Sequence, residues 1–291
     1  MDTVKHLFDT FKHTLNGIYD ANEIEALTLL AVTEITGSAK SKIKAFPEQA
    51  LTPQQSDTLA AMLSRLKTGE PLQYILGHTE FYGLPFKVNP SVLIPRPETE
   101  ELVEWALDSS QLAVGNVQSA VSILDIGTGS GCIAISLKKN LPAATVTAID
   151  ISPAALQTAK ENAKLNNVDI NFIEADILNP KKFEIENPTF EIIISNPPYV
   201  TLADKKQMHT NVTDFEPHSA LFVPESDPLI FYKAIADFAT DNLTPGGLLF
   251  FEINENLGKE TVDLLSNRGF VDIELRKDIS GRDRMARGTW I

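Results

Sequence analysis

Apolar residues recur every three or four positions through the first part of the chain. Val4, Leu7, Phe8, Phe11 and Leu15 fall on one helical face, and Gly17 stands where that helix would end. A second run, Ala21–Ile35, groups Ile24, Leu27, Leu30, Ala31 and Ile35, with Gly37 just beyond. Thr52-Pro53 supplies an N-cap and a first-turn proline for a third helix carrying Leu59, Met62, Leu63 and Leu66, which stops at Gly69. Three or four such helices predict a small bundle. The pattern then turns aromatic and β-prone over Glu80–Val88, with Gly83 and Pro85 central, which predicts a hairpin. Pro95 and Pro97 stiffen the backbone on either side of Arg96, and a helix is expected from Glu98 to Leu107.

From Val121 onward strands and helices alternate. Strands are expected over Val121–Ile126, Thr145–Ile149, Ile170–Ile173, Glu191–Ser195 and Gly247–Ile253. Helices are expected over Ile133–Lys139, Pro153–Asn166, Asp227–Asp241 and Leu257–Asn267. Val271–Leu275 and Met285–Trp290 follow with no helix between them, as an antiparallel edge hairpin. The alternation predicts an α/β fold, a mostly parallel sheet with helices on both faces.

Charge narrows the function classes. The 25 basic and 39 acidic residues leave a net charge of −14, a field that repels phosphate backbones. Direct nucleic-acid binding is therefore disfavoured. Cys132 is the single cysteine, so neither an internal disulfide nor a Cys-rich zinc site is expected. His6, His13, His78, His209 and His218 are scattered without metal spacing, and no metal is expected. The first twenty residues mix Lys5, His6, Asp9, Lys12 and His13 among apolar positions, unlike a signal peptide. No run approaches the about 18 apolar residues of a membrane span. A soluble cytoplasmic protein is the expectation.

Three strand ends carry candidate chemistry. Gly127, Thr128, Gly129, Ser130 and Gly131 follow the first strand and open a helix, a place where backbone approaches a nucleotide closely. The third glycine comes one position early for a dinucleotide fingerprint, and there is no GK[ST] phosphate loop. Asp150 ends the second strand, where a carboxylate can accept both hydroxyls of a ribose. Asp176 and Ile177 follow the third, where they can meet an adenine amino group and ring. Together these point to an adenosine-bearing ligand without a phosphate clamp.

The fourth strand ends in Asn196-Pro197-Pro198-Tyr199. A planar NH2 group is a poor nucleophile because its lone pair is delocalised. Asn196 Oδ1 and the Pro197 carbonyl can each accept one of its N–H groups, orienting the nitrogen and favouring its developing positive charge. Pro197 and Pro198 offer no competing backbone donor. Tyr199 can stack on the planar group and present its face to a sulfonium. In-line displacement at a sulfonium methyl needs alignment more than a strong base.

These features look like an S-adenosylmethionine-dependent amino methyltransferase. Gly69–Gly77 (GEPLQYILG), Glu80–Leu84 (EFYGL), Leu93–Glu100 (LIPRPETE) and Phe215-Glu216-Pro217 make the resemblance more specific, because they resemble the HemK/PrmC family. It runs from about Thr3 to Trp290. The resemblance implies a seven-stranded Rossmann-like class I domain over residues 98–291, a substrate-docking helical bundle over 1–77 and a β-hairpin linker over 78–97. It implies methyl transfer to the glutamine of the GGQ motif in class 1 peptide chain release factors, with S-adenosylhomocysteine as the second product and a monomeric enzyme. By position, Gly127–Gly131 would approach the cofactor's methionine part, with Arg96 and Pro97 covering it. Asp150 would hold the ribose, and Asp176 and Ile177 the adenine. Asn196, Pro197, Pro198 and Tyr199 would hold the substrate amide, Asn196 also touching the cofactor.

A ribosomal-protein glutamine methyltransferase shares these motifs, and an adenine-amino DNA or RNA methyltransferase shares the Asn-Pro-Pro-Tyr logic. A catalytically silent binding module would not need Asn196 and Tyr199. The −14 charge and the Glu70–Glu100 motifs weigh against the nucleic-acid reading. Arg276, Lys277, Arg282, Arg284 and Arg287 in the closing hairpin read as a solvated turn rather than a contact for an acidic partner.

Overall fold

The computed structural model describes residues 3–114, 121–180, 189–206 and 208–291. Two compact units emerge: residues 1–77 with 209–215, and 78–208 with 216–291. The expected partition at 77 and 97 differs in two respects. The hairpin belongs to the second unit, and a short segment far along the sequence belongs to the first.

The first unit contains helices α1 (Val4–Leu15), α2 (Ala21–Thr36), α3 (Lys40–Ala45), α4 (Pro53–Leu66) and α5 (Leu72–Leu76). Their starts are chemically marked. Asp20 Oδ1 accepts the N–H groups of Asn22 and Glu23, and Thr52 and Gln55 form a reciprocal capping box. Leu7, Phe11, Leu15, Leu59 and Leu66 are fully buried together. The late segment is held by side chains that sequence periodicity does not reveal. His209 stacks on Tyr19 with ring centroids 5.6 Å apart and donates from Nε2 to the Ile18 carbonyl. Phe215 lies 3.5 Å from where a Gly69 Cβ would stand.

The second unit opens with the hairpin β1 (His78–Phe81) and β2 (Leu84–Lys87). It is no free linker. Phe81 and Phe86 are buried in the main core, and Asn162 exchanges hydrogen bonds with the Lys87 backbone. Helix α6 (Pro97–Val114) runs well past the expected Leu107. Past Leu107, Ser110 donates to the Leu107 carbonyl and Ser109 accepts from Arg287, so both hydroxyls are satisfied.

Then follow β3 (Ser122–Ile126), α7 (Cys132–Asn140), β4 (Thr145–Asp150), α8 (Pro153–Leu165), β5 (Asn171–Glu174) and β6 (Phe190–Ser195). Beyond these lie α9 (Leu202–Lys205), α10 (Thr210–Phe215), which belongs to the first unit, and α11 (Ile230–Asn242). β7 (Leu243–Glu252), α12 (Gly258–Asn267), β8 (Val271–Lys277) and β9 (Asp283–Thr289) complete the order. The sheet has seven strands in the order β5-β4-β3-β6-β7-β9-β8, parallel except for β9. The last two strands do form an antiparallel hairpin at the edge, with β9 on its inner side. β7 starts earlier than expected because Leu243 pairs with Phe190 and Leu248 with Ile192 across a bulge. Its Pro-Gly-Gly reads as a turn in sequence.

Alternate side chains divide the core between the two faces. Ile123, Val146 and Ile192 pack beneath α6 and α7; Leu124, Ile126 and Ile193 pack against α11 and α12. Strand succession reverses between β3 and β6, and a crevice opens at their carboxyl ends, the place where open α/β sheets hold ligands. Among the described residues no helix is long and apolar enough to cross a membrane. In the closing hairpin, Arg284 pairs with Asp278 and Glu255, Arg282 with Glu255, and Arg276 stacks 4.1 Å over Trp105. Arg284 and Arg287 are turned inward, whereas Arg276, Lys277 and Arg282 stay exposed, as expected of a solvated turn.

Candidate active site

A cavity of about 360 Å³ lies at this reversal point. It falls within the size range of small-molecule sites. The glycine turn after β3 forms one wall. Gly127, Thr128, Gly129 and Ser130 line it, whereas Gly131 lies behind as the N-cap of α7. Gly129 has φ +56 and Gly131 φ +82, a left-handed backbone that suits glycine. The two glycines differ in their surroundings. A Cβ on Gly129 would meet open space, but one on Gly131 would stand 2.9 Å from Ile135 and 3.2 Å from Ala159. Gly131 lets the helix pack; Gly129 leaves room for a ligand.

Asp125 anchors the turn from below. It is fully buried, and its Oδ2 accepts from the Thr128 hydroxyl and the Ala134 N–H. Its Oδ1 has no partner, and burial pushes its pKa up to about 7. Cys132 lines the same wall, but burial pushes its thiol up to about 12, so it is no thiolate nucleophile at neutral pH.

The second wall suits an adenosine. Asp150 ends β4 with Oδ2 accepting the Gly129 N–H at 2.8 Å and Oδ1 the Ser152 N–H at 2.9 Å. Each oxygen keeps a further acceptor position, which matches a vicinal diol. Burial raises the Asp150 pKa. Asp176 and Ile177 line the cavity, with Asp176 Oδ1 fixed by the Leu178 N–H at 3.0 Å and its Oδ2 accepting from the Asn179 amide. Ile151 and Leu178 also face it, and at 59% and 38% exposure they leave apolar surface bare for a flat ring. An open glycine turn, a doubly anchored carboxylate and bare apolar surface together fit S-adenosylmethionine.

The opposite wall carries Asn196, Pro197 and Pro198. Arg96 lines it too, and its guanidinium reaches Glu216 Oε1 at 2.6 Å. Glu216 is buried and its Oε2 accepts the Ile94 N–H, which explains the Phe-Glu-Pro motif as the clamp on the Arg96 segment. Pro97 is the first residue of α6 and does not line the cavity. Nor does Tyr199, expected to stack on a substrate amide. Its hydroxyl instead donates to Glu252 Oε1 at 3.0 Å, and burial holds it a neutral phenol.

Sequence reasoning gave no role to Asp125 or Glu252, and it named Thr99 and Glu216 only as motif members. The available signal was a carboxylate set inside an apolar strand, as in Ile123–Ile126 and Leu248–Ile253. Ile151 was missed because a lone isoleucine before a helix looks ordinary.

The comparisons agree with this geometry. The methyltransferase small domain family matches residues 106–215, and the PrmC N-terminal domain matches residues 6–77. A release factor glutamine methyltransferase of Flavobacterium psychrophilum is 48% identical over 284 residues, covering 98% of each chain. One from Bacteroides thetaiotaomicron is 42% identical over 274 residues, covering 94% of this chain and 95% of its own. A methyltransferase structure from Pyrococcus furiosus superposes with a TM-score of 0.50 at 16% identity, over 82% of this chain and 100% of that one, and shares the fold. The chain belongs to the HemK/PrmC family of S-adenosylmethionine-dependent release factor glutamine methyltransferases.

Proposed function

We propose that this enzyme methylates the side-chain amide nitrogen of the glutamine in the GGQ motif of class 1 peptide chain release factors. The observation that carries the reading is one cavity shared by Asp150, the glycine turn and the Asn196-Pro197 acceptor pair. S-adenosylmethionine supplies an activated methyl group on a sulfonium. Gly127–Gly131 shape the backbone around its methionine part, Asp150 accepts the ribose hydroxyls, and Asp176 and Ile177 meet the adenine. Arg96, with its charge shared with Glu216, closes the methionine end.

Asn196 Oδ1 and the Pro197 carbonyl each accept one N–H of the substrate amide. Two fixed acceptors would turn the nitrogen toward the methyl carbon and stabilise the positive charge that grows as the N–C bond forms and the C–S bond breaks; S-adenosylhomocysteine leaves, and the nitrogen gives up one proton to solvent. Pro198 keeps the loop rigid, and Tyr199 supports it from behind through Glu252. Residues 1–77 dock the protein substrate. The enzyme works as a cytoplasmic monomer and touches no nucleic acid directly.

The decisive experiment supplies purified enzyme with labelled S-adenosylmethionine and a release factor. Label should enter the release factor and vanish when its GGQ glutamine is replaced by alanine; label in ribosomal protein or DNA instead would overturn the assignment. Asn196→Ala should lose turnover at least about 100-fold, the scale of removing one oriented acceptor from a transition state. Its cofactor Kd, measured by calorimetry, should change little. An equal loss of both would make Asn196 chiefly a cofactor ligand.

A further inference from the structure

The carboxamide of Asn196 has two ends, and only one suits the reaction. Its oxygen accepts an N–H; its NH2 would meet the substrate NH2 donor to donor. Rotation about the last side-chain bond exchanges the two ends, so a neighbouring group has to select one. Asn196 Nδ2 donates to Thr99 Oγ1 at 3.3 Å. The Thr99 hydroxyl donates in turn to Glu252 Oε2 at 2.6 Å. Thr99 and Glu252 are both buried, and the second oxygen of Glu252 accepts the Tyr199 hydroxyl.

The order of donors follows from chemistry. Burial raises the Glu252 pKa, but the Thr99 and Tyr199 hydroxyls on its two oxygens and the Arg284 charge favour the carboxylate, which only accepts, so Thr99 gives Glu252 its single proton. The Thr99 oxygen is left with lone pairs alone. Of the two ends of Asn196, only the NH2 can approach it. Asn196 Oδ1 is then turned away from Thr99, and no described residue donates to it. The Thr99–Glu252 hydrogen bond spans 153 positions in sequence, joining the start of α6 to the end of β7.

We propose that Thr99 is a positioning residue, which, with its proton held by Glu252, fixes the flip state of Asn196 so that Oδ1 faces the substrate nitrogen. The proposal rests on the reading of Asn196 as the acceptor of the substrate N–H. Thr99 touches no reacting atom in this scheme. It acts through Asn196, and Tyr199 serves the same end by occupying the other Glu252 oxygen.

The test compares Thr99→Val, which keeps the shape and removes the hydroxyl, with Thr99→Ser, which keeps the hydroxyl. Release-factor labelling gives kcat/KM, and calorimetry gives cofactor Kd. Thr99→Val should lower kcat/KM about 10- to 100-fold, the range for a buried polar group set against the wrong partner. Thr99→Ser should recover most of it, and cofactor Kd should hold within about threefold. In an Asn196→Ala background, Thr99→Val should add no further loss, because the residue it orients is gone. If Thr99→Val fails to fold, Thr99→Ala carries the same comparison. The idea is overturned if Thr99→Val keeps full activity, if Val and Ser lose equally, or if the loss persists undiminished beside Asn196→Ala. Wild-type turnover by Asn196→Ala itself would instead overturn the reading beneath it.

Discussion

Around Phe11 the helical unit encloses almost nothing but hydrocarbon. Among its described residues the buried side chains with a polar atom are Thr28, which donates to the Ile24 carbonyl, Tyr19, which donates to the Leu66 carbonyl, Tyr74 and Thr213. The sheet unit encloses Asp125, Glu216, Glu252 and Asp278. One interior buries no charged group, while the other keeps carboxylates where they are costly. All but Asp278 stand beside the cavity: Asp125 under the glycine turn, Glu216 on Arg96, and Glu252 behind Asn196. Enclosed acids in this molecule mark the place where backbone and side chains must be fixed for a ligand.

That contrast can be broken at several points. Phe11→Ala should cost about 3–5 kcal/mol by leaving a cavity in an apolar core. The loss, read from chemical denaturation, should be the same at pH 5 and pH 8, since among the described residues no carboxylate, amine or imidazole is buried there. A strong pH dependence would mean that the helical core is not the uncharged interior described.

Asp125 should behave in the opposite way. Its folded pKa is raised from 3.8 to about 7, so the native state holds a proton that the unfolded chain has released. Stability therefore falls as pH rises from about 4 to about 7, by up to about 4 kcal/mol. Asp125→Asn has no such proton to lose. Denaturant midpoints of the unliganded wild type and variant should diverge across this window, the variant gaining toward neutral pH; parallel curves would show that Asp125 is not the source. The smallest effect belongs to the helical surface. Asp20→Ala removes the cap on α2 and should cost about 1 kcal/mol, and a change within about 0.2 would leave the cap with no measurable role.

The same contrast explains what could be read from sequence. Helices with one apolar stripe, such as Val4–Leu15, and strands with continuous apolar runs, such as Ile192–Ile194, declare themselves because local pattern and burial coincide. The glycine turn, Asp150 and Asn196-Pro197-Pro198 were legible because each sits at a strand end, with residue types of restricted backbone or clear acceptor character. Thr99 and Glu252 were not. A threonine in the first turn of a helix and a glutamate in a strand look unremarkable until the fold brings them within 2.6 Å. Pro97 and Tyr199 were legible as motif members but not as lining residues, because a motif does not say which way its side chains point. The α6 extension was hidden for a related reason: Ser109 and Ser110 look solvated until Leu107 and Arg287 are seen to satisfy them.

The chain builds the helical unit from two stretches, and synthesis must supply them at different times. Residues 1–77 leave the ribosome about 130 residues before His209–Phe215. At about 5–20 residues per second, that leaves roughly seven to twenty-six seconds in which Tyr19 lacks His209 and Gly69 lacks Phe215. The first unit to emerge is therefore not the first to be finished. Its last packing step waits until most of the sheet strands have already been made.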